Sequence, residues 1–333
     1  MAEQSHERFD EEHGGFAMSP QYAPKFPHAS ELQVLLRMAA RGATLPRRMA
    51  TLTLDRMHRG GMFDHLGGGF HRYSTDRQWL VPHFEKMLYD NALLVPCYLE
   101  AQRVLGDPRH GAVARHVLDY MLREMQGPHG GFYSSQDADS EGVEGKFFVW
   151  QREEIDRLLG ADAPLARQRF GVTDQGNWEH TNVLTLAAEI ADVAKSQGIE
   201  PRLAEQRLEQ ARAALLAARA KRVHPGTDDK VLTAWNGMAI AAMAMGAQAL
   251  GDARYLEAAQ RDFAWPQLST FNWAIDWFDA IAVGLFTIEY LLRLATAPLS
   301  EEFAGSRHPR LRYVFSFYAL VDLLAILPFY LAR

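Results

Sequence analysis

The sequence predicts an all-α protein that changes solvent near residue 264, and three observations carry that reading. From Ser30 to about Phe263 apolar residues recur at three- and four-residue steps, as in Leu88, Leu93, Leu94, Tyr98 and Leu99, which is the spacing of amphipathic helices. Gly and Pro turns separate these runs. Beyond Phe263 come two apolar stretches, 273–294 and 313–331, each of about 20 residues and so long enough to cross a bilayer core as a helix.

Taken in order, the pattern predicts helices over 30–40, 45–59, 84–105, 110–126, 152–160, 201–221, 231–250 and 253–263. Between two of them, 130–150 is rich in Gly, aromatics and carboxylates, and 146–150 suits a short strand. Residues 187–200 read as a linker. In the tail, Asp276, Asp279, Glu289, Arg293 and Asp322 interrupt the two apolar runs. Ionisable groups inside membrane helices normally face other protein and carry function, which favours a channel or transporter fragment over a simple anchor. A pair of core helices buried in a soluble domain is the plainer alternative.

Composition bounds the function. The 333 residues give room for two domains. A net charge of -6 with no basic cluster argues against a nucleic-acid partner, because neutralising phosphates takes a local excess of Lys and Arg. The lone cysteine, Cys97, can form neither an internal disulfide nor a Cys-x-x-Cys pair. Residues 1–18 are polar and acidic, so no secretory leader is expected there and the chain starts as a cytosolic protein.

Polar clusters fall at the joins between helices. The run 65–73 sets His65, His71 and Arg72 around three glycines and ends in Tyr73; histidine acts as a general base or a metal ligand. The run 79–91 opens a helix with Trp79, His83, Glu85, Asp90 and Asn91, groups that also serve as ordinary helix caps. The acidic turn with Asp137 and Asp139 mimics the first half of an EF-hand, but position twelve is Phe148 where a bidentate Glu is needed. Asp228 and Asp229 precede Trp235 and Asn236. Paired carboxylates beside an aromatic face are what a pyranose site uses. The spacing leaves acid and base unassigned, and no metal or cofactor is expected.

Six stretches, FDEEHGGF (9–16), APKFP (23–27), HLGGGFHRYS (65–74), VPHFEKMLYDNA (81–92), 130–150 and DDKVLTAWNG (228–237), together resemble the bacterial thioredoxin-domain-containing proteins related to the spermatogenesis-associated thioredoxin-like family. The resemblance covers about 9–263. It implies an incomplete (α/α)6 toroid with a short β insertion, similar to six-hairpin glycosidases and N-acylglucosamine 2-epimerases, with four or five of six hairpins present and the family's thioredoxin-like domain missing. An epimerase-like reaction would use His71 or His83 to remove and return a proton beside a carbonyl. A glycosidase-like one would use two carboxylates, for example Asp139 and Asp229. The implied partner is a carbohydrate-like small molecule.

The tail resembles the second and third membrane helices of voltage-gated potassium channels over roughly 266–333. On that resemblance Phe286 matches the aromatic plug, Glu289 and Asp322 the inner countercharges, and Asp279 the outer one. The Arg-repeat helix and the selectivity filter are lacking, so the tail alone is not expected to conduct. The sequence therefore reads as a fusion or rearranged fragment: a toroid (1–263) joined to a voltage-sensor-like helix pair (264–333), multi-pass in the membrane with a cytoplasmic toroid. A membrane-anchored sugar epimerase or glycosidase-like enzyme is the alternative, and a partial channel subunit that associates with others a second one.

Overall fold

The computed structural model describes residues 2–17 and 23–263 and, from the remainder, 281, 283–284, 287–299, 303, 306, 308–316 and 319. It divides into two compact units, Met1–Phe263 and Ala264–Arg333.

The first unit opens with the short helix α1 (Ala2–Glu7). Paired helices follow. In α2 (Ala29–Ala40) the buried residues Ala29, Leu32, Leu35, Leu36 and Ala39 form one stripe at three- and four-residue steps, and α3 (Thr44–Arg59) returns beside it with Met49, Leu54 and Met57 inward. Next come α4 (Leu88–Leu105) and α5 (Pro108–Tyr120). Asp107 caps α5, its side chain accepting from the Arg109 N–H, with Pro108 at the first helical position. The last pair is α10 (Thr233–Leu250) with α11 (Ala253–Phe263). α4 lies centrally, packing on α2, α5 and α10, so one continuous core runs from Leu32 through Tyr98 and Val117 to Met243 and Tyr255.

Between α5 and α10 the chain makes an excursion through α6 (Arg152–Leu159), α7 (Ala163–Phe170), α8 (Ile190–Ser196) and α9 (Pro201–Arg219), which bury a smaller core around Ile155, Phe170 and Leu215. Two of these helices are absent from the sequence reading: α7, and α8, which occupies the expected linker. Both are short and polar, so their apolar stripes stay below what periodicity resolves.

The β structure is confined to two-residue strands. β1 (Tyr73–Ser74) pairs with β2 (Pro82–His83); β3 (Lys86–Met87), β4 (Ser135–Gln136) and β7 (Thr227–Asp228) form a three-stranded antiparallel sheet; β5 (Asp139–Ser140) and β6 (Val143–Glu144) form a hairpin. The helix expected from residue 84 therefore starts at Leu88, because Lys86 and Met87 pair with Gln136 and Ser135. The strand expected at 146–150 is a turn that ends in a single bridge between Trp150 and Asn182.

One device recurs three times. Gly14-Gly15-Phe16, Gly68-Gly69-Phe70 and Gly130-Gly131-Phe132 each carry positive φ at both glycines, and each Phe bridges back to a residue six or seven positions earlier: Phe9, Phe63 and Gln126. The need for glycine is plainest at Gly69, where a Cβ would sit 2.5 Å from the Tyr120 ring. Asn side chains peg two of these loops. Asn91 accepts from the Phe70 N–H at 2.7 Å and donates to the Phe70 carbonyl at 3.0 Å; Asn236 does the same to Phe132 at 2.6 and 2.9 Å.

The described part of the second unit holds a helical stretch over 287–296, a turn at Ala297–Leu299 and α12 (Pro309–Val314), with Ala297, Phe303, Tyr313 and Ala319 packed together. Among the described residues no helix is long and apolar enough to cross a membrane. This overturns the expected pair of transmembrane helices, and the membrane localisation and channel-like character that rested on them. Within the expected span 313–331, α12 ends at Val314, and its six residues make about 9 Å of helix against a bilayer core of about 30 Å; of the two expected spans, the parts other than 281, 283–284, 287–294, 313–316 and 319 lie outside the described residues. Glu289 and Arg293 are half exposed and paired at 2.5 Å, one turn apart, as on a solvated helix surface. Asp276, Asp279, Phe286 and Asp322 lie outside the described residues.

Candidate functional site

The loop from Phe70 to Leu88 folds over the three-stranded sheet and sorts its polar residues into a buried layer and an open one. In the buried layer Asp64 accepts two bonds from Arg219, at 2.8 and 2.7 Å, and one from the Lys86 ammonium at 2.8 Å. The Leu66 and Gly67 N–H groups donate to it as well. Lys86 also donates to the Gly68 carbonyl at 2.8 Å and lies 4.3 Å from the Tyr120 ring centroid. Burial pushes the Asp64 carboxyl up, but Arg219 and Lys86 outweigh it and hold the group well below the usual carboxylate range. Burial lowers Lys86 to about 8 against the pull of Asp64. A cavity of about 20 Å3 walled by Asp64, His71, Phe148 and Arg219 has room for one water.

His65 and His71 belong to this layer. The His65 ring meets the Gly60 carbonyl at 2.9 Å and the His71 ring the Phe84 carbonyl at 2.8 Å, both with Nδ1 or Nε2 inside the protein. Burial lowers His65 to about 4 and His71 to about 3, so both stay neutral at pH 7. Two further residues from the sequence reading are also buried. Trp79 donates its Nε1–H to the His13 carbonyl at 3.0 Å, and Asn236 is the peg on Phe132.

The open layer gathers the remainder of that loop. His83 lies between two carboxylates, with Nδ1 2.7 Å from Glu144 and Nε2 3.6 Å from Glu85. Arg72 donates to Glu85 at 2.9 Å, Tyr73 stacks on the His83 ring at 5.0 Å, and Phe26 backs Tyr73 at 4.9 Å. Next to them Tyr89 meets Trp235 edge to face at 4.9 Å. Burial raises the Asp90 carboxyl to about 7, against Arg72 and Tyr89, while Glu85 adds to the rise. Its Oδ2 is enclosed, with no hydrogen-bond partner among the described residues. Asp228, on β7 opposite Ser135, pairs with Lys230 at 2.9 Å. Asp137 is exposed at the end of β4, its N–H donating to the Gly226 carbonyl. Asp139 is exposed on β5 across from Glu144, and Asp229 is exposed on the loop after β7.

The structure thus joins Arg72, Tyr73, His83 and Glu85 by direct contacts and sets Asp90 and Trp235 about Tyr89. It leaves His65, His71, Trp79 and Asn236 inside the protein. Asp64, Arg219, Tyr89 and Glu144 are missing from the sequence reading. For Asp64 a signal exists: Phe-Asp, then Gly-Gly-Phe, then Lys occurs at 9–25 and again at 63–86. Arg219 and Glu144 reach their partners only through the fold. Among the described residues no group of three or more His, Cys, Asp or Glu side chains is arranged to hold a metal ion.

Fold and site together define a class: helical hairpins with Gly-Gly-Phe loops between them and a cluster of polar side chains on one loop. No family model matches the chain. By sequence it is 37% identical to spermatogenesis-associated protein 20 of Homo sapiens over 286 aligned residues, 76% of this chain and 36% of that protein. The Rattus norvegicus protein of the same name is 37% identical over 280, 75% of this chain and 35% of that one. An uncharacterized Caenorhabditis elegans protein is 34% identical over 285, covering 76% and 38%. The chain is homologous to spermatogenesis-associated protein 20 and spans about a third of the length of these curated relatives. The likeness of the tail to potassium channels finds no support in these matches.

Among solved structures, a sugar epimerase from a ruminal bacterium aligns with a TM-score of 0.36 at 13% identity, covering 78% of this chain and 82% of that one. A cellobiose 2-epimerase from Spirochaeta thermophila gives 0.37 at 13% identity, with 78% and 80% covered.

Proposed function

We propose that the first unit is the acid–base face of a carbohydrate-directed enzyme, epimerase-like in its chemistry, with the cleft of Arg72, Tyr73, His83, Glu85 and Asp90 as the place of reaction. The observation that carries this reading is the position of His83. Its two ring nitrogens face Glu144 and Glu85, so the imidazole has a carboxylate on either side to orient it and to stabilise the charge it gains on taking a proton. Asp90, its carboxyl raised to about 7 by burial, supplies a carboxylic acid that donates to a sugar oxygen, while Glu85 accepts from Arg72. Two neighbouring carboxyls in unlike surroundings, Asp90 enclosed and Glu85 bonded to an arginine, are the arrangement an acid–base pair uses. Trp235, half-buried beside Tyr89, offers an aromatic face to a ring's C–H surface.

A glycosidase-like reading uses the same cleft with Glu85 and Asp90 as the two carboxyls, and it is favoured over the Asp139 and Asp229 pair because both of those are exposed. The two readings separate in one experiment. The protein is incubated with mannose, glucose or cellobiose in D2O, and deuterium at C2 is followed by NMR alongside release of nitrophenol from aryl glycosides. The epimerase-like reading predicts C2 exchange that falls at least a hundredfold in His83→Ala; nitrophenol release without exchange makes the glycosidase-like reading correct. Neither signal with any probe overturns the assignment of the cleft.

A further inference from the structure

Along its 18 residues α10 carries no charged side chain, whereas every other described helix of eight or more residues in the first unit carries at least one. One side of α10 fills the core through Ala239, Ala242 and Met243. The other side is open. Gly237, Met238, Ala241, Ala244 and Met245 are exposed there, Met238 by 37% and Met245 by 44%, and polar side chains occur only at the two ends, at Thr233 and Gln248. Steps of three and four residues put these positions on one face, a strip of apolar surface left in water. A groove between this strip and α4 is bordered by Glu100 and Arg103, which bond each other at 2.5 Å. Neither the strip nor the groove beside it therefore offers a free charge to a nucleic acid, an acidic peptide or an anionic lipid.

The strip is complementary to itself. Ala241 lies at its centre. Met238 and Met245, three residues before it and four after, form one edge; Gly237 and Ala244, four before and three after, form the other. We propose that two copies of the chain associate through α10, antiparallel, about a two-fold axis at Ala241. In that arrangement Met238 of one copy meets Met245 of the other, and Gly237 of one meets Ala244 of the other. The methionine edge supplies the apolar contact, and the small edge lets the two helices approach closely. With no charge on the strip, nothing repels across the axis. An 18-residue helix is about 27 Å long and about 10 Å wide, so each copy covers about 300 Å2. A stable complex covers about 800 Å2 a side, so this pair is weak and forms at micromolar to millimolar concentration.

Sedimentation of the full chain from about 10 µM to about 1 mM tests this. The average mass is expected to rise from that of one chain toward that of two. Ala241→Arg, at an exposed position and with a good helix former, sets two like charges against each other at the axis. It is expected to weaken association about tenfold or more while circular dichroism stays the same. Met238→Lys is expected to weaken association as well. Adding Met245→Glu to that chain is expected to restore it, since each lysine then faces a glutamate of the other copy. Leu203→Arg, a change at an exposed leucine on α9, is expected to leave association as it was. The proposal is overturned by the mass of one chain at every concentration, which assigns the strip to another kind of partner, or by association that survives Ala241→Arg. It is overturned equally by a Met238→Lys, Met245→Glu chain that associates no better than Met238→Lys alone.

Discussion

The first unit contains two copies of one buried charge centre, and their difference shows which of them the cleft depends on. In the first copy Asp10 accepts from Lys25 at 2.8 Å and from Arg77 at 2.7 and 2.8 Å, and Lys25 donates to the Gly14 carbonyl. In the second, Asp64, Lys86, Arg219 and Gly68 take the same parts. Both aspartates also accept backbone N–H groups two and three residues on. The copies part at the arginine: the Arg77 side chain is 36% exposed and the Arg219 side chain 5%. Arg77 comes from the same loop as Trp79. Arg219 comes from the end of α9, 155 residues from its aspartate, so the second centre fastens the α6–α9 excursion to the floor of the cleft.

The largest expected effect follows directly. Asp64→Asn leaves two cations buried without their carboxylate and should cost about 3 to 5 kcal/mol. Asp10→Asn, whose arginine can turn to water, should cost about half as much. Urea unfolding of the two variants side by side checks this, and equal losses would break the comparison. A smaller effect separates the arginines. Arg219→Met should lower stability by about 2 to 3 kcal/mol and loosen α6–α9, seen as faster hydrogen exchange in residues 152–219; Arg77→Met should cost about 1 kcal/mol or less and leave exchange there unchanged.

The third prediction concerns acid. His65 and His71 have folded values of about 4 and about 3, below the ordinary 6.5, so the unfolded chain binds more protons between those limits. Stability should therefore hold above pH 6.5 and fall as pH drops from 6.5 toward 4, by about 3 kcal/mol for His65 alone. His65→Gln, which can keep the bond to the Gly60 carbonyl, should flatten part of that slope in a melting series from pH 7 to 4. An unchanged slope would remove His65 from the acid response of the second centre's surroundings.

Much of the helical frame was legible because α2, α3, α9 and α11 carry apolar stripes at regular steps, and the glycine pairs marked the loops between pairs of helices. The β elements were not: two residues are too few for an alternating pattern, and the pairing of Lys86 with Gln136 and Ser135 with Asp228 is set by chain segments far apart in sequence. Arg72, Tyr73, His83 and Glu85 on one short loop, with Asp90 in the first turn of α4, were legible as a polar group because they lie close along the chain; that they form a reacting cleft is the proposal. Glu144 and Tyr89 were not, since their part comes from contact rather than from motif. His65 and His71 looked catalytic because sequence does not show on which side of a loop an imidazole is buried. The tail misled for a related reason: apolar length alone took no account of how Glu289 and Arg293 pair with each other, half exposed, one helical turn apart.

The asparagine pegs set how far this architecture can vary. Asn91 closes a span of 21 residues back to Phe70, and Asn236 closes one of 104 back to Phe132, with the same pair of bonds. Loop-closure entropy grows only with the logarithm of length, so the longer span costs about 1.4 kcal/mol more than the shorter. Whole helices can thus be inserted or lost between a glycine pair and its asparagine without shifting the helix that follows. The segments between those fixed points are where such a scaffold can acquire a new specificity while its frame stays put.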